Sequence, residues 1–271
     1  MSALLAPGKK TIVGVLHLDQ LLGQPAFPGL AALTARALED ALALAQGGVD
    51  ALLVENFRDT TPGPFVEPAA VACLAHVCAA VRAAVPLPVG LNVLPNDYQA
   101  AFALARTCEL AFVQLDVLVD VVRTDYSYSD APPFDVRVDP SDLLATRARL
   151  GANAIPLWGT IHPKHYALLE PRPLEASIAL APSFGAGAIV ITGTRTGSAP
   201  DPARVAAARR AAGDLPVIVG SGLDATNARD LLAHADGAIV GTAFRAPDLG
   251  PVIVEQVRAV VAAAREVDSG R

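Results

Sequence analysis

The chain has 271 residues, of which 52% are hydrophobic and 18% charged, with a formal net charge of -6. An acidic chain with no Lys/Arg cluster is a poor match for nucleic acid, whose phosphates are bound by gathered cations. The mean hydropathy of +0.41 invites a membrane reading. No run of about 18 apolar residues is present, so no membrane span is expected.

The N-terminal stretch "MSALLAPGKK" places its charges after a short apolar segment, the reverse of a signal peptide. Cys73, Cys78 and Cys108 form no C-x-x-C pair and read as small buried hydrophobes of a reducing compartment. The sequence therefore reads as cytoplasmic.

Short apolar runs alternate with longer Ala/Leu/Arg runs along the whole chain. The first strand is expected over 12–18 and a helix over 30–46, stopped by Gly47-Gly48. A second strand covers 51–56, a helix 68–84 and a third strand 88–94, with a helix opening at Asn96-Asp97. The fourth strand is read over 110–119. A polar, aromatic, proline-bearing segment follows to Asp139. It is long for a plain connection and is read as a lid or a subunit contact. Asp139 before Pro140 reads as a helix N-cap. "ANAIPLWGTI", "AGAIVITGT", "LPVIVGSG" and "DGAIVGTAF" supply the remaining strands, and a last helix covers 251–267. Apolar strands alternating with helices imply parallel βαβ units covered on both faces. Eight such units point to an α/β fold, a (β/α)8 TIM barrel, and residues 1–271 read as one barrel domain.

In such a barrel the chemistry collects at the C-terminal strand ends. Those ends carry His17, then Glu55 with Asn56 and Asp59, then Asn92 with Asn96 and Asp97, and then Gln114 and Asp116. After the fifth strand come His162, Lys164 and His165. The sixth ends in "TGTRTG", from Thr192 through Gly193 and Arg195 to Gly197. The seventh ends in Gly220-Ser221-Gly222 and the eighth in Gly241-Thr242.

Loops after the seventh and eighth barrel strands often hold a phosphate. Glycine permits close approach of backbone, a helix N-terminus offers free N–H groups, and Ser221 and Thr242 add hydroxyls. Asp224 or Thr226 is placed to cap the helix after Gly222. A purely structural use of these glycines, as sharp turns, stands beside that reading. Thr192, Gly193 and Gly197 extend the same expected site.

His17, Glu55 and Asp116 are expected at one mouth, as acid and base. Glu55 and Asp116 also leave room for a divalent metal. Lysine occurs only at Lys9, Lys10 and Lys164, with arginine elsewhere. Lys164 is therefore read as a point charge on phosphate or carboxylate. Asn92 and Asn96 are read as orienting polar groups of a substrate. His76 and His234 fall in helical stretches and read as structural.

"GVLHL" (14–18), "GGVDALLVENFRD" (47–59), "VGLNVLPND" (89–97), "ITGTRTG" (191–197) and the segment 219–245 resemble the BtpA/SgcQ family, in order and over nearly the whole chain. The resemblance implies a barrel of the ribulose-phosphate-binding type. One branch of that family is linked to photosystem I biogenesis. Another is linked to sugar catabolism, with sugar phosphates or nucleosides as suspected substrates. The chain departs from the family pattern in "LDQLLGQPAFPG" after His17, in Asp116 where asparagine is usual, and in "HPKHY". The expected function is an enzyme, a lyase, isomerase or hydrolase, acting on a small phosphorylated metabolite. The alternative is a non-catalytic assembly or regulatory factor of the photosystem I type. A homo-oligomer is expected.

Overall fold

The computed structural model describes residues 4–6, 8–61, 63–124 and 132–268. In chain order it forms β1 (Thr11–His17), α1 (Leu30–Gly47), β2 (Ala51–Glu55), α2 (Pro68–Ala84), β3 (Val89–Asn92), α3 (Tyr98–Thr107) and β4 (Phe112–Leu115). Then come β5 (Val122–Thr124), β6 (Asp135–Val136), α4 (Pro140–Arg149), β7 (Leu157–Ile161), β8 (Tyr166–Leu168) and α5 (Leu174–Leu180). The chain closes with β9 (Ala188–Ile191), α6 (Pro202–Ala212), β10 (Val217–Val219), α7 (Ala228–Leu232), β11 (Gly237–Val240) and α8 (Val254–Asp268).

Strands β1, β2, β3, β4, β7, β9, β10 and β11 close into a parallel barrel, with β11 pairing back onto β1. The strand period of two sends alternate residues inward. The inward set Val13, Val15, Ala51, Leu53, Phe112, Trp158, Ala188, Val190, Ile218 and Ile239 packs as one cluster inside the barrel. Phe112 and Trp158 stack there with ring centroids 4.1 Å apart. Gly90 supplies the room, because a side chain at that position would overlap the Phe112 ring. The outward residues of the same strands join the helices in the larger surrounding core.

The helix ends follow local chemistry. Gly48 closes α1 in the left-handed region at φ 91, with its N–H reaching the Ala45 carbonyl. Asp139 caps α4 as expected, accepting from Ser141 N at 2.7 Å and Asp142 N at 3.1 Å. Asp139→Ala should lower the unfolding free energy by about 1 kcal/mol, read from urea denaturation.

The structure corrects the sequence reading in three places. β4 is shorter than the apolar run, because the chain turns out of the barrel at Asp116. The connection after it contributes β5 and β6, which join β8 in a separate three-stranded antiparallel sheet. Residues 125–131 of the expected lid lie outside the described residues. The helix after β10 is only five residues long and begins at Ala228, well past Gly222.

Cys73 and Cys78 are buried and Cys108 partly buried, all unpaired. His76 and His234 are exposed, so they do not serve the core. Among the described residues no helix is long and apolar enough to cross a membrane.

Candidate functional site

The alternation that packs the barrel also builds its mouth. Two residues beyond Val15 comes His17, beyond Leu53 comes Glu55, and beyond Gly90 comes Asn92. The pairing register sets His17 opposite Glu55 and Glu55 opposite Asn92, so the three lie side by side on the rim. On the other strands the same parity delivers Gln114 and Asp116, Thr160, Thr192, Gly220 and Gly241.

The inward side chains at the last two barrel strands are missing because Gly220 and Gly241 have none. The space above Ile239 and Val15 is a cavity of about 230 Å³, lined by both glycines with His17, Glu55, Lys164, Ser221, Gly222 and Thr242. A Cβ on Gly241 would stand 2.9 Å from His17 Nε2, and one on Gly220 would stand 2.9 Å from Thr192 Cγ2. The backbone N–H groups of Ser221, Gly222, Leu223, Thr242 and Ala243 find no acceptor among the described residues. All of these residues line the cavity. Unpaired N–H groups at a concave, glycine-lined surface make a cradle with the chemistry to receive an anion.

Next to the cradle, the throat of the barrel is lined by Glu55, Gln114, Asp116, Thr160, Lys164 and Thr192. Asp116 Oδ1 accepts from Asn92 Nδ2 at 3.2 Å and Gln114 Nε2 at 3.1 Å. Gln114 is in turn fixed by Thr160 Oγ1 at 3.0 Å. Glu55 receives no hydrogen bond from a described side chain. Burial, reinforced by the negative charge of Asp116 and only partly opposed by Lys164, pushes its pKa up to about 8. His17 packs on Phe57, with ring centroids 4.6 Å apart. Its Nδ1 is buried without a partner. Burial first, then Arg245, Lys164 and Arg58, push its pKa down to about 3. The imidazole is neutral at ordinary pH, which removes it as a strong base and leaves it a hydrogen-bonding group.

Lys164 lies between two non-glycine residues with positive φ, His162 at 49° and His165 at 65°. Such backbone is strained and persists where its surroundings hold it. Asp120 holds the first through His162 N at 2.7 Å. Thr196 holds the second through His165 Nε2 at 2.9 Å.

Sequence comparison settles the family. The BtpA family model matches residues 8–266. The chain belongs to the BtpA family. It is 33% identical to an uncharacterized protein of Pyrococcus abyssi, over 87% of each chain. It is 32% identical to the photosystem I biogenesis protein BtpA of Synechocystis, over 86% of this chain and 80% of that one. Among solved structures, phosphoribosyl anthranilate isomerase from Thermus thermophilus superposes with a TM-score of 0.57 at 16% identity, covering 95% and 99% of the two chains. Thiamine phosphate pyrophosphorylase from Pyrococcus furiosus does so with a TM-score of 0.54 at 14% identity, covering 97% and 96%. These likenesses establish the barrel fold.

Several residues expected at the mouth of this BtpA-family barrel have other work. Asn96 is buried and gives its carboxamide to Val117, with Oδ1 accepting from Val117 N at 2.9 Å and Nδ2 donating to Val117 O at 3.0 Å. It braces the turn after β4 and does not line the cleft. Asn92 acts on Asp116, although its buried Oδ1 lacks a partner. The Ser221 hydroxyl is engaged by Gly193 N and Ser198 O, both at 2.9 Å, so it ties the β9 loop to the β10 loop. Gly193 and Gly222 allow those loops to touch. A Cβ on either would overlap backbone of Ser198 or Ala199. Asp224 caps the following turn through Thr226 and Asn227. With α7 short and distant, free turn amides replace the expected helix N-terminus. Gly197, Thr242 and Lys164 do line the cradle.

The two carboxylates do not fit the expected divalent metal well. Among the described residues no group of three His, Cys, Asp or Glu is arranged to hold one, and the Lys164 ammonium beside Glu55 opposes a cation.

Outside the throat a vestibule of about 810 Å³ opens between the β1, β2 and β9 loops, with Phe57, Pro95, Arg58 and Arg195 in its walls. Phe57 and Thr196 line cradle, throat and vestibule alike. Sequence reading missed Phe57 because one aromatic beside Glu55-Asn56 has no chemical signature of its own.

Proposed function

We propose that this BtpA-family barrel is an enzyme acting on a small phosphorylated metabolite. The phosphate would sit in the cradle formed after β10 and β11, with its reacting end over Glu55 and Asp116. The observation that carries this reading is the adjacency of unpaired backbone N–H groups and Lys164 to two carboxylates in unlike settings. Glu55 keeps its proton at neutral pH and is the acid, while Asp116, oriented by Asn92 and Gln114, is the base. Lys164 offsets phosphate or developing negative charge, and neutral His17 donates or accepts a hydrogen bond. Binding energy at the phosphate positions the reacting end.

The names of the solved neighbours, an isomerase of a phosphoribosyl compound and a thiamine phosphate pyrophosphorylase, are consistent with a phosphorylated ligand. The Synechocystis relative's name supports an assembly role for that protein. The gathering of ionisable groups at this mouth favours catalysis here.

Thermal unfolding with ribose 5-phosphate, glycerol phosphate or inorganic phosphate, against ribose and glycerol, tests the reading. A phosphorylated ligand at about 100 times its Kd should add about 2.7 kcal/mol of apparent stability. Equal effects of phosphorylated and unphosphorylated partners, or none from either, would refute it.

A further inference from the structure

Beside the throat lies another cavity, of about 380 Å³, between the β7–β8 loop, the residues after β9 and the start of α6. Its polar lining includes His162, Lys164, His165, Thr192, Asp201 and Arg204. The cavity is not sealed from the mouth. Lys164 lines the cradle, the throat and this cavity, and Thr192 lines the throat and this cavity.

Its chemistry is that of a place kept for an anion. Arg204 is half-buried, and its guanidinium forms no hydrogen bond or ion pair with a described residue. Burial works against its charge and Asp120 is a weaker, opposing influence. Asp120 makes no ion pair with it; its two oxygens accept from His162 N and from Ser177 Oγ, each at 2.7 Å. Leaving a half-buried guanidinium without a partner is unfavourable, and an incoming oxyanion removes the deficit. Thr192 Oγ1 is a second unmet group. The residue is 6% exposed and its hydroxyl is buried with no partner. Among the described residues the one acidic side chain in the lining is Asp201, which is turned to capping α6, with Oδ1 accepting from Ala203 N at 2.8 Å.

We infer that this cavity receives a second anionic group of the same substrate, which makes the substrate class a small metabolite with an oxyanion at each end. One anion occupies the cradle, Lys164 stands between, and Arg204 with Thr192 holds the other. The inference rests on the cradle reading above and adds a requirement that the cradle alone does not impose.

Titration calorimetry on the full chain separates the two. Wild type is expected to bind ribulose 1,5-bisphosphate or 3-phosphoglycerate at least about tenfold more tightly than ribose 5-phosphate, equivalent to about 1.4 kcal/mol. Arg204→Gln should bring that ratio close to one with the ribose 5-phosphate Kd unchanged, and Arg204→Lys should retain part of it. Thr192→Val, which keeps the side-chain shape and removes the hydroxyl, should narrow the ratio and serves if Arg204→Gln folds poorly. Equal Kd values for all three ligands in wild type, or a ratio that neither Arg204→Gln nor Thr192→Val alters, would overturn the second site and leave the cradle standing. No binding of any of them would overturn both.

Discussion

Glu55→Gln is expected to lower turnover of the phosphorylated substrate by about 10²- to 10⁴-fold while making the protein more stable at alkaline pH. Glutamine matches the protonated carboxyl in shape, so the fold is retained. The stability effect follows from proton linkage. The folded pKa of about 8 lies above the ordinary value of 4.5. Between those values the folded chain keeps a proton that the unfolded chain has released, so stability falls as pH rises, by about 1.4 kcal/mol per pH unit. His17 acts in the opposite direction. Its folded pKa of about 3 lies below 6.5, so the unfolded chain takes up the proton first as pH falls, and stability drops below pH 6.5. The window from 6.5 to about 8 therefore isolates Glu55. Urea unfolding across that window should show a falling stability in wild type and a flatter one in Glu55→Gln. Identical slopes in the two proteins would mean that Glu55 is not held protonated.

The second large effect is expected at Gly222. The residue has φ 66, and a Cβ there would overlap the backbone of Ser198 and Ala199. Backbone cannot rotate aside as a side chain can, so Gly222→Ala must separate the β10 loop from the β9 loop or unfold both locally. Ser221 would then lose its bonds to Gly193 N and Ser198 O. Combined strain, clash and lost hydrogen bonds should cost about 2–4 kcal/mol of stability. Phosphate binding should fall by about 100-fold or more, since the same segment supplies the Ser221, Gly222 and Leu223 amides. Gly63→Ala is the control, because a Cβ there meets nothing. A Gly222→Ala protein with wild-type stability and phosphate affinity would show that the loop contact carries neither.

Much of this site was legible because strand parity is simple. Once Val13 and Val15 are read as inward, His17 must be inward as well, and the same step of two finds Glu55, Asn92, Thr192, Gly220 and Gly241. The glycines were legible as points of close phosphate approach or as sharp turns, but the fold adds another reason for them. They leave two inward positions empty, and the cavity is the result. What the sequence hid lies off the strands. Asn96 looks like any strand-end amide, and only the fold brings Val117 to both ends of its carboxamide. Ser221 looks like a ligand hydroxyl until Ser198 and Gly193 are in place. Arg204 stands in a helix with other arginines, and only the fold shows that its guanidinium meets no described acceptor. The β5, β6 and β8 strands are two or three residues long, too short for periodicity to register.

The most direct test is a crystal structure of the full chain with ribose 5-phosphate. Phosphate density is expected over Gly220 and Gly241, with oxygens within about 3 Å of the Ser221, Gly222, Leu223, Thr242 or Ala243 nitrogens and the sugar directed toward Glu55 and Asp116. Phosphate bound elsewhere, or an empty cradle at a concentration far above the measured Kd, would contradict the cradle reading.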